Sequence, residues 1–238
     1  MPLYIQTNVA SMVAQSNLSK TQVAMQTSFA RLSSGYRINS AADDAAGLGI
    51  SESMIAQIRS YGVAERNSMD GISMAQTADG AAGQVGNILA RLRELGVQSM
   101  NGSLQASDRA NLDTEFQALL AEVDRIAEVT KFNGTDLLKA ATTVNFQVGI
   151  GTTASDQISV AFGGVTATTL TIAGTAVATD TGAKAAVDAI DVAIGVVSTK
   201  RATFGTAMNR LQSTVMNIQS MKTNMSAANS RIRDVDVA

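Results

Sequence analysis

Residues 187–232 read VDAIDVAIGVVSTKRATFGTAMNRLQSTVMNIQSMKTNMSAANSRI. At alternating steps of three and four they place Val187, Ile190, Ile194, Val197, Arg201, Phe204, Met208, Leu211, Val215, Ile218, Lys222, Met225, Asn229 and Ile232 on one line. Eleven of these fourteen positions are apolar and no proline interrupts them. A sustained repeat averaging 3.5 residues makes one narrow apolar seam along a helix, as in coiled-coil packing. Such a helix is roughly 70 Å long at 1.5 Å per residue. Burying each large seam residue is worth roughly 1.5–3 kcal/mol, so the seam calls for partner helices from the same chain. The polar exceptions Arg201, Lys222 and Asn229 fit control of register.

Composition supports thin helix contacts over one thick core. Aromatic residues make up 4% of the 238, and the single proline is Pro2. A net charge of −2 argues against a nucleic-acid binder with a broad basic face. No apolar run approaches a membrane span, and the opening MPLYIQTNVAS carries neither the charged nor the apolar region of a cleaved secretory signal. With no His and no Cys, His-based triads, thiol nucleophiles and common zinc sites are unavailable. The reading is therefore non-enzymatic, without cofactor or metal.

Partner helices are found upstream. Residues 4–34 read as a first helix: Ile5, Val9 and Met12 share a face, and Leu18, Met25, Phe29, Leu32 and Tyr36 follow a heptad spacing. Its intervening residues are mostly uncharged (Gln6, Asn8, Gln15, Asn17, Gln22, Gln26), which suits contact with other protein more than a solvated face. Residues 33–44, SSGYRINSAADD, break the pattern and form a connector. Asp43 or Asp44 is expected to cap the next helix; with no third ligand nearby, a metal or acid–base role for the pair is the weaker reading. A second helix runs from about Ala45 to Ser99 with a thin stripe (Met54, Ile55, Ile58, Tyr61, Ile72, Ala75), then Val85, Ile88, Leu92 and Leu95. Gly80, Gly83 and Gly86 predict a bend, a break or a close backbone approach. After the turn Asn101-Gly102-Ser103 a third helix, capped by Ser107 or Asp108, returns antiparallel on Leu112, Phe116, Leu119, Val123, Ile126 and Thr130. Beyond Lys131-Phe132-Asn133-Gly134 the period changes to two. Val144, Phe146, Val148 and Ile150, then Ile158, Val160 and Phe162, predict a β-hairpin with one apolar face. Thr168–Ala178 is expected to add a strand or an exposed loop, and the long helix to open near Thr181 or Gly182. The expected fold is mainly α: an elongated antiparallel helical bundle with coiled-coil seams plus a small β-hairpin region.

Several strings carry a resemblance: Arg31-Leu-Ser-Ser-Gly-Tyr-Arg-Ile-Asn-Ser40, Ala42-Asp-Asp-Ala-Ala-Gly47, Asn67-Ser-Met-Asp-Gly-Ile-Ser-Met-Ala-Gln-Thr77, Arg91-Leu-Arg-Glu-Leu-Gly-Val-Gln-Ser99, Lys131-Phe-Asn-Gly134 and Ala228-Asn-Ser-Arg-Ile-Arg-Asp-Val-Asp236. Together they resemble bacterial flagellin, in a minimal form where about 20 residues replace the family's large outer domain. The resemblance implies an N-terminal inner-core helix over 1–34 and a spoke connector over 35–44. It implies an outer-tube bundle over 45–238, with its β region at 142–180. It further implies a self-assembling helical tube for swimming, located outside the cell. Export would run through the flagellar type III apparatus with assembly chaperones and no cleaved signal, and involve no nucleic acid or membrane insertion. A host partner is implied as well: the flagellin-sensing Toll-like receptor, at a patch matching Arg91, Leu95 and Glu115, which could equally be a contact between subunits. The family commonly continues past Asp234-Val235-Asp236 with a second inner-core helix; the sequence ends at Ala238, so the first helix is expected without that partner. A hook–filament junction protein is the alternative reading.

Overall fold

The computed structural model describes residues 8–236. Its helices are α1 (Val9–Ser34), α2 (Ala45–Ser99), α3 (Ala106–Val129) and α4 (Asp180–Arg233). Between α3 and α4 lie two antiparallel hairpins, β1–β2 (Lys131–Phe132, Thr135–Asp136) and β3–β4 (Thr142–Gln147, Gln157–Phe162). The chain packs as two compact units. One holds residues 8–62 and 220–236; the other holds 63–219.

In the 63–219 unit the helices form an antiparallel bundle. Asp79 pairs with Arg201 and Arg93 with Asp191, so numbers rise along α2 as they fall along α4. Arg91 pairs with Glu115 and the Arg109 guanidinium donates to the Ser99 carbonyl, which gives α3 the same opposed sense to α2. The buried line on α2 is a strict heptad of small residues, Ala64, Ser68, Gly71, Ala75, Ala78 and Ala82, followed by Val85, Leu89, Leu92, Gly96 and Ser99. Small side chains bring the neighbours close. A Cβ at Gly71 would meet Leu211 and Phe146 at 3.1 Å, and one at Gly96 would meet Val187 at 2.6 Å. These are the close approaches, and the expectation placed on Gly80, Gly83 and Gly86 is corrected. α2 runs unbroken through all three, Gly80 and Gly86 face open space, and Gly83 has only the Arg201 side chain near it.

On α4, Val187, Ile190, Val197, Phe204, Leu211, Val215 and Ile218 are buried. Ile194, Met208, Met225 and Ile232 are half-buried, and Ala193 and Ala207 take the deeper places beside Ile194 and Met208. α3 behaves alike: Leu120 and Ala127 are buried, while Leu119 and Ile126 are half-buried. An apolar stripe wide enough to face two neighbours cannot be reduced to single-file positions. The cap of α3 is Gln105 rather than Ser107 or Asp108; Asp108 sits one turn in and accepts the Gln105 N–H at 3.0 Å. α4 opens at Asp180, with the Thr179 hydroxyl accepting the Gly182 N–H at 3.1 Å.

The main hairpin pairs Val144 with Val160 and Phe146 with Ile158. Ile158, Val160 and Phe162 are buried, and the Phe162 ring stacks on Phe204 with centroids 5.6 Å apart. Ile150 lies beyond the strand and is exposed. Asn133 and Gly134, both at positive φ, make the two-residue turn of β1–β2, the geometry that Asn-Gly favours. The strand expected at Thr168–Ala178 is absent: the segment is a chain of turns, with Thr171 and Gly174 at positive φ. It is the loop alternative that holds, with Thr168, Thr169, Thr171 and Gly174 exposed, but Leu170, Ile172 and Val177, with Val165 and Ala167 just before them, are buried in the core. Carboxylates of α3 hold its backbone: Asp124 accepts the Ala167 N–H at 2.8 Å and Asp113 the Val177 N–H at 2.7 Å. Those bonds satisfy amides that would otherwise need a sheet partner.

Candidate functional site

Helix α1 begins after Asn8, whose side chain accepts the Ser11 N–H at 3.0 Å; the expected start at residue 4, with Ile5, lies outside the described residues. No described residue of α1 is buried. At 100° per residue, Leu18, Met25, Phe29 and Leu32 share one side and Val9, Met12 and Val23 the opposite one. All seven are 52–64% exposed. A helix apolar on two opposite sides is normally buried on both, and Lys20 and Arg31 are the only charged residues along it. A run of large apolar side chains of this kind, exposed in a single chain, marks a surface made for other protein.

Gly35 ends α1 in the left-handed conformation, so Tyr36 leaves the helical heptad. The connector is then held from both sides. Asp43 accepts the Ser40 N–H and hydroxyl, each at 3.0 Å, and the Asn39 N–H at 3.3 Å, and pairs with Arg31 at 3.1 Å. Asp44 caps α2 through the Gly47 N–H at 2.8 Å. From the far end of the sequence, the Arg233 carbonyl accepts the Arg37 N–H at 2.7 Å, the Gly35 carbonyl accepts the Val235 N–H at 3.0 Å, and Tyr36 bridges Asp234. The Arg233 guanidinium lies 4.5 Å over the Tyr36 ring and pairs with Glu52. Ile38 is buried beneath, and the buried Ser51 hydroxyl donates to Asn229 at 2.7 Å, which gives that polar seam position a specific partner. Residues 232–235 thus form a backbone strap across the connector. Main-chain bonds leave no mark on side-chain periodicity, so sequence reasoning missed it.

The Ser40 N–H first, then the Arg31 guanidinium and the Ser40 hydroxyl, hold the Asp43 carboxyl below its ordinary value of 3.8. A depressed folded pKa contributes stability that is present above the unfolded value and lost as pH falls through the folded one. The connector is therefore expected to loosen below about pH 4. In an NMR titration the Asn39 and Ser40 amides should shift there, and Asp43→Asn should show the shifted positions already at pH 7. Amides that stay unmoved as the pH falls from 6 to about 1.5 would overturn this.

Arg91, on α2, is gripped by two carboxylates. Its Nε and Nη2 donate to Glu115 Oε1 at 3.1 and 2.8 Å, and its Nη1 to Glu94 Oε2 at 3.0 Å. Glu115, then Glu94, push its pKa up. The cluster is exposed, and exposed ion pairs contribute little to stability; what it offers is a fixed pattern of charge. Leu95, expected beside it, is fully buried in the core. It supports the surface from below and is not presented on it. Among the described residues no group of acids could hold a metal ion, and no helix is long and apolar enough to cross a membrane.

A polymer-forming helical protein is what an apolar terminal helix joined by a braced connector to a helical bundle describes. The family models agree: the bacterial flagellin N-terminal helical region matches residues 5–143 and the C-terminal helical region matches 187–238. Flagellin of Halalkalibacterium halodurans is 45% identical over 223 residues, covering 93% of this chain and 80% of that protein. The crystal structure of Bacillus cereus flagellin superposes with a TM-score of 0.57 at 34% identity, over 69% of this chain and 94% of that one. A structure described as a hook-associated protein of Vibrio parahaemolyticus gives a TM-score of 0.67 over 81% of this chain and all of that one. At 14% identity this last likeness concerns the fold alone. The chain belongs to the bacterial flagellin family and is a structural subunit of the flagellar filament.

Proposed function

We propose that residues 1–34 form an inner-core helix of the filament, 35–44 a spoke, and 45–238 an outer-tube bundle whose β region spans 142–180. The observation that carries this reading is the exposed apolar surface on opposite sides of α1, which only assembly would remove from water. On this reading the tube serves swimming motility. The chain leaves the cell through the flagellar type III apparatus, with assembly chaperones and no cleaved signal.

Seeded polymerisation tests the central claim. Purified chain mixed with sheared filaments under salting-out conditions should elongate the seeds in negative-stain micrographs. If the folded helical monomer adds to no seed, a flagellin C-terminal helix is restored to it; rescue would keep the subunit reading, and continued failure would overturn it in favour of a junction role.

The Arg91–Glu115 pair, with Glu94 beside it and Leu95 beneath, is proposed as the recognition patch for the flagellin-sensing Toll-like receptor. In a reporter-cell assay the monomer should activate the receptor and Arg91→Ala should be at least about tenfold weaker, as expected for loss of a hot-spot arginine. Equal activity of the two would remove Arg91 from the patch, and silence of both would end the proposal.

A further inference from the structure

The chain contains eleven Met but no Cys, Trp or His. A two-electron oxidant such as a peroxide therefore meets one dominant class of target, the methionine thioether. The thioethers differ sharply in access. Met12 and Met25 are 60% and 52% exposed and stand on the two opposite apolar sides of α1. Met69, Met216 and Met221 are 46%, 57% and 42% exposed on other helices, while Met74 is 5% exposed in the core. We infer that Met12 and Met25 are an oxidation-sensitive modification site that controls whether the free chain can assemble. This rests on the reading of α1 as an assembly surface.

The step is balanced without any other reactant. A sulfur lone pair attacks the terminal peroxide oxygen, the O–O bond breaks, an S=O bond forms, and the peroxide leaves as water. Sulfur is oxidised by two electrons and the peroxide is reduced by two. The product replaces an apolar, flexible side chain with a strongly polar one at the same place. The nearest side chains of α1 around each methionine carry no charge: Thr21, Gln22, Ser28 and Phe29 around Met25, and Asn8, Val9, Gln15 and Ser16 around Met12. A sulfoxide oxygen buried there would exchange its water for at best a neutral hydroxyl or amide donor that already has other partners to serve, and the apolar contact of the thioether would be lost, which should weaken association by about tenfold for each site. Once polymerised, both thioethers would be covered, so oxidation acts on the monomer and spares the polymer. Methionine sulfoxide is reversible by dedicated reductases, which makes the block removable.

The test uses the 238-residue monomer treated with hydrogen peroxide, mass-spectrometric mapping of every methionine peptide, and elongation rates on native seeds. Each chain is compared with its own untreated sample. Met12 and Met25 should oxidise well before Met74, and the treated chain should elongate at least about tenfold more slowly. Methionine sulfoxide reductases should restore it. Met12→Leu with Met25→Leu, a volume-conserving pair, should leave the treated-to-untreated ratio near one. Met69→Leu, Met216→Leu and Met221→Leu together should leave the peroxide effect intact. If the treated chain keeps its full rate, or if the Met12/Met25 variant is slowed as much as the parent, the inference is overturned while the filament reading stands. An untreated chain that adds to no seed even with a flagellin C-terminal helix restored overturns the filament reading, and this inference with it.

Discussion

Replacing Phe204 with alanine should destabilise the 63–219 unit by about 3–5 kcal/mol, the usual cost of deleting a buried aromatic ring. Phe204 is fully buried and stacks on Phe162 at an interplanar angle of 25°. The chain has six Phe and no Trp, and the nearest buried position along α4 is Ala207, so few bulky groups are at hand to refill the space. The loss should appear as a lower urea midpoint with an unchanged slope, and as faster hydrogen exchange in peptides from 187–219. Met216→Ala, on an exposed stretch of the same helix, should change stability by no more than about 0.5 kcal/mol. If the two variants behave alike, the core has been placed wrongly.

Gly163→Ala should cost roughly 3 kcal/mol or more, and Gly174→Ala only the roughly 1–2 kcal/mol of the left-handed backbone. Both glycines have similar positive φ, 89° and 78°. They differ in what a Cβ would meet. At Gly174 nothing lies within 4 Å, whereas at Gly163 it would fall on the backbone carbonyl of Ala140. That carbonyl belongs to the segment entering β3, and Phe162, one residue before Gly163, is the last paired residue of β4. The strands cannot both keep their register and admit the methyl group. Circular dichroism melts of the two variants separate the terms, because their difference isolates the collision from the dihedral strain. Equal melting temperatures would show that the hairpin exit can yield.

The period of three and four made the helices, their order and their antiparallel sense legible before any coordinates. The alternation at Val144–Phe146 and Ile158–Phe162 did the same for the hairpin. What remained hidden has a common physical cause. The closest packing on the α2 seam is at glycines, which hydropathy scores as weak although an added Cβ would meet a neighbour at 3.1 Å at Gly71 and at 2.6 Å at Gly96. Thr168–Ala178 read as a strand or an exposed loop because its threonines dominate the pattern; it is a loop, yet its Leu170, Ile172 and Val177 side chains reach the core between turns. The strap at 232–235 acts through main-chain atoms. Of the proposed recognition patch, the charge pair Arg91–Glu115 came from the resemblance, whereas the burial of Leu95 was already implied by its place on the apolar stripe with Val85, Ile88 and Leu92.

The strap has a kinetic consequence. It joins groups 195 residues apart, as in the bond from the Arg37 guanidinium to the Ile232 carbonyl, so it closes one of the longest loops the chain can make. Such contacts pay their entropy before they return any energy and belong late in folding. The connector therefore stays open until residues 232–235 dock on it, and it is the first place to come undone. Damage to it should appear as faster opening, with little change in the rate at which the helices first gather. A subunit wired this way completes its N-terminal joint last, whatever the order in which its residues are delivered.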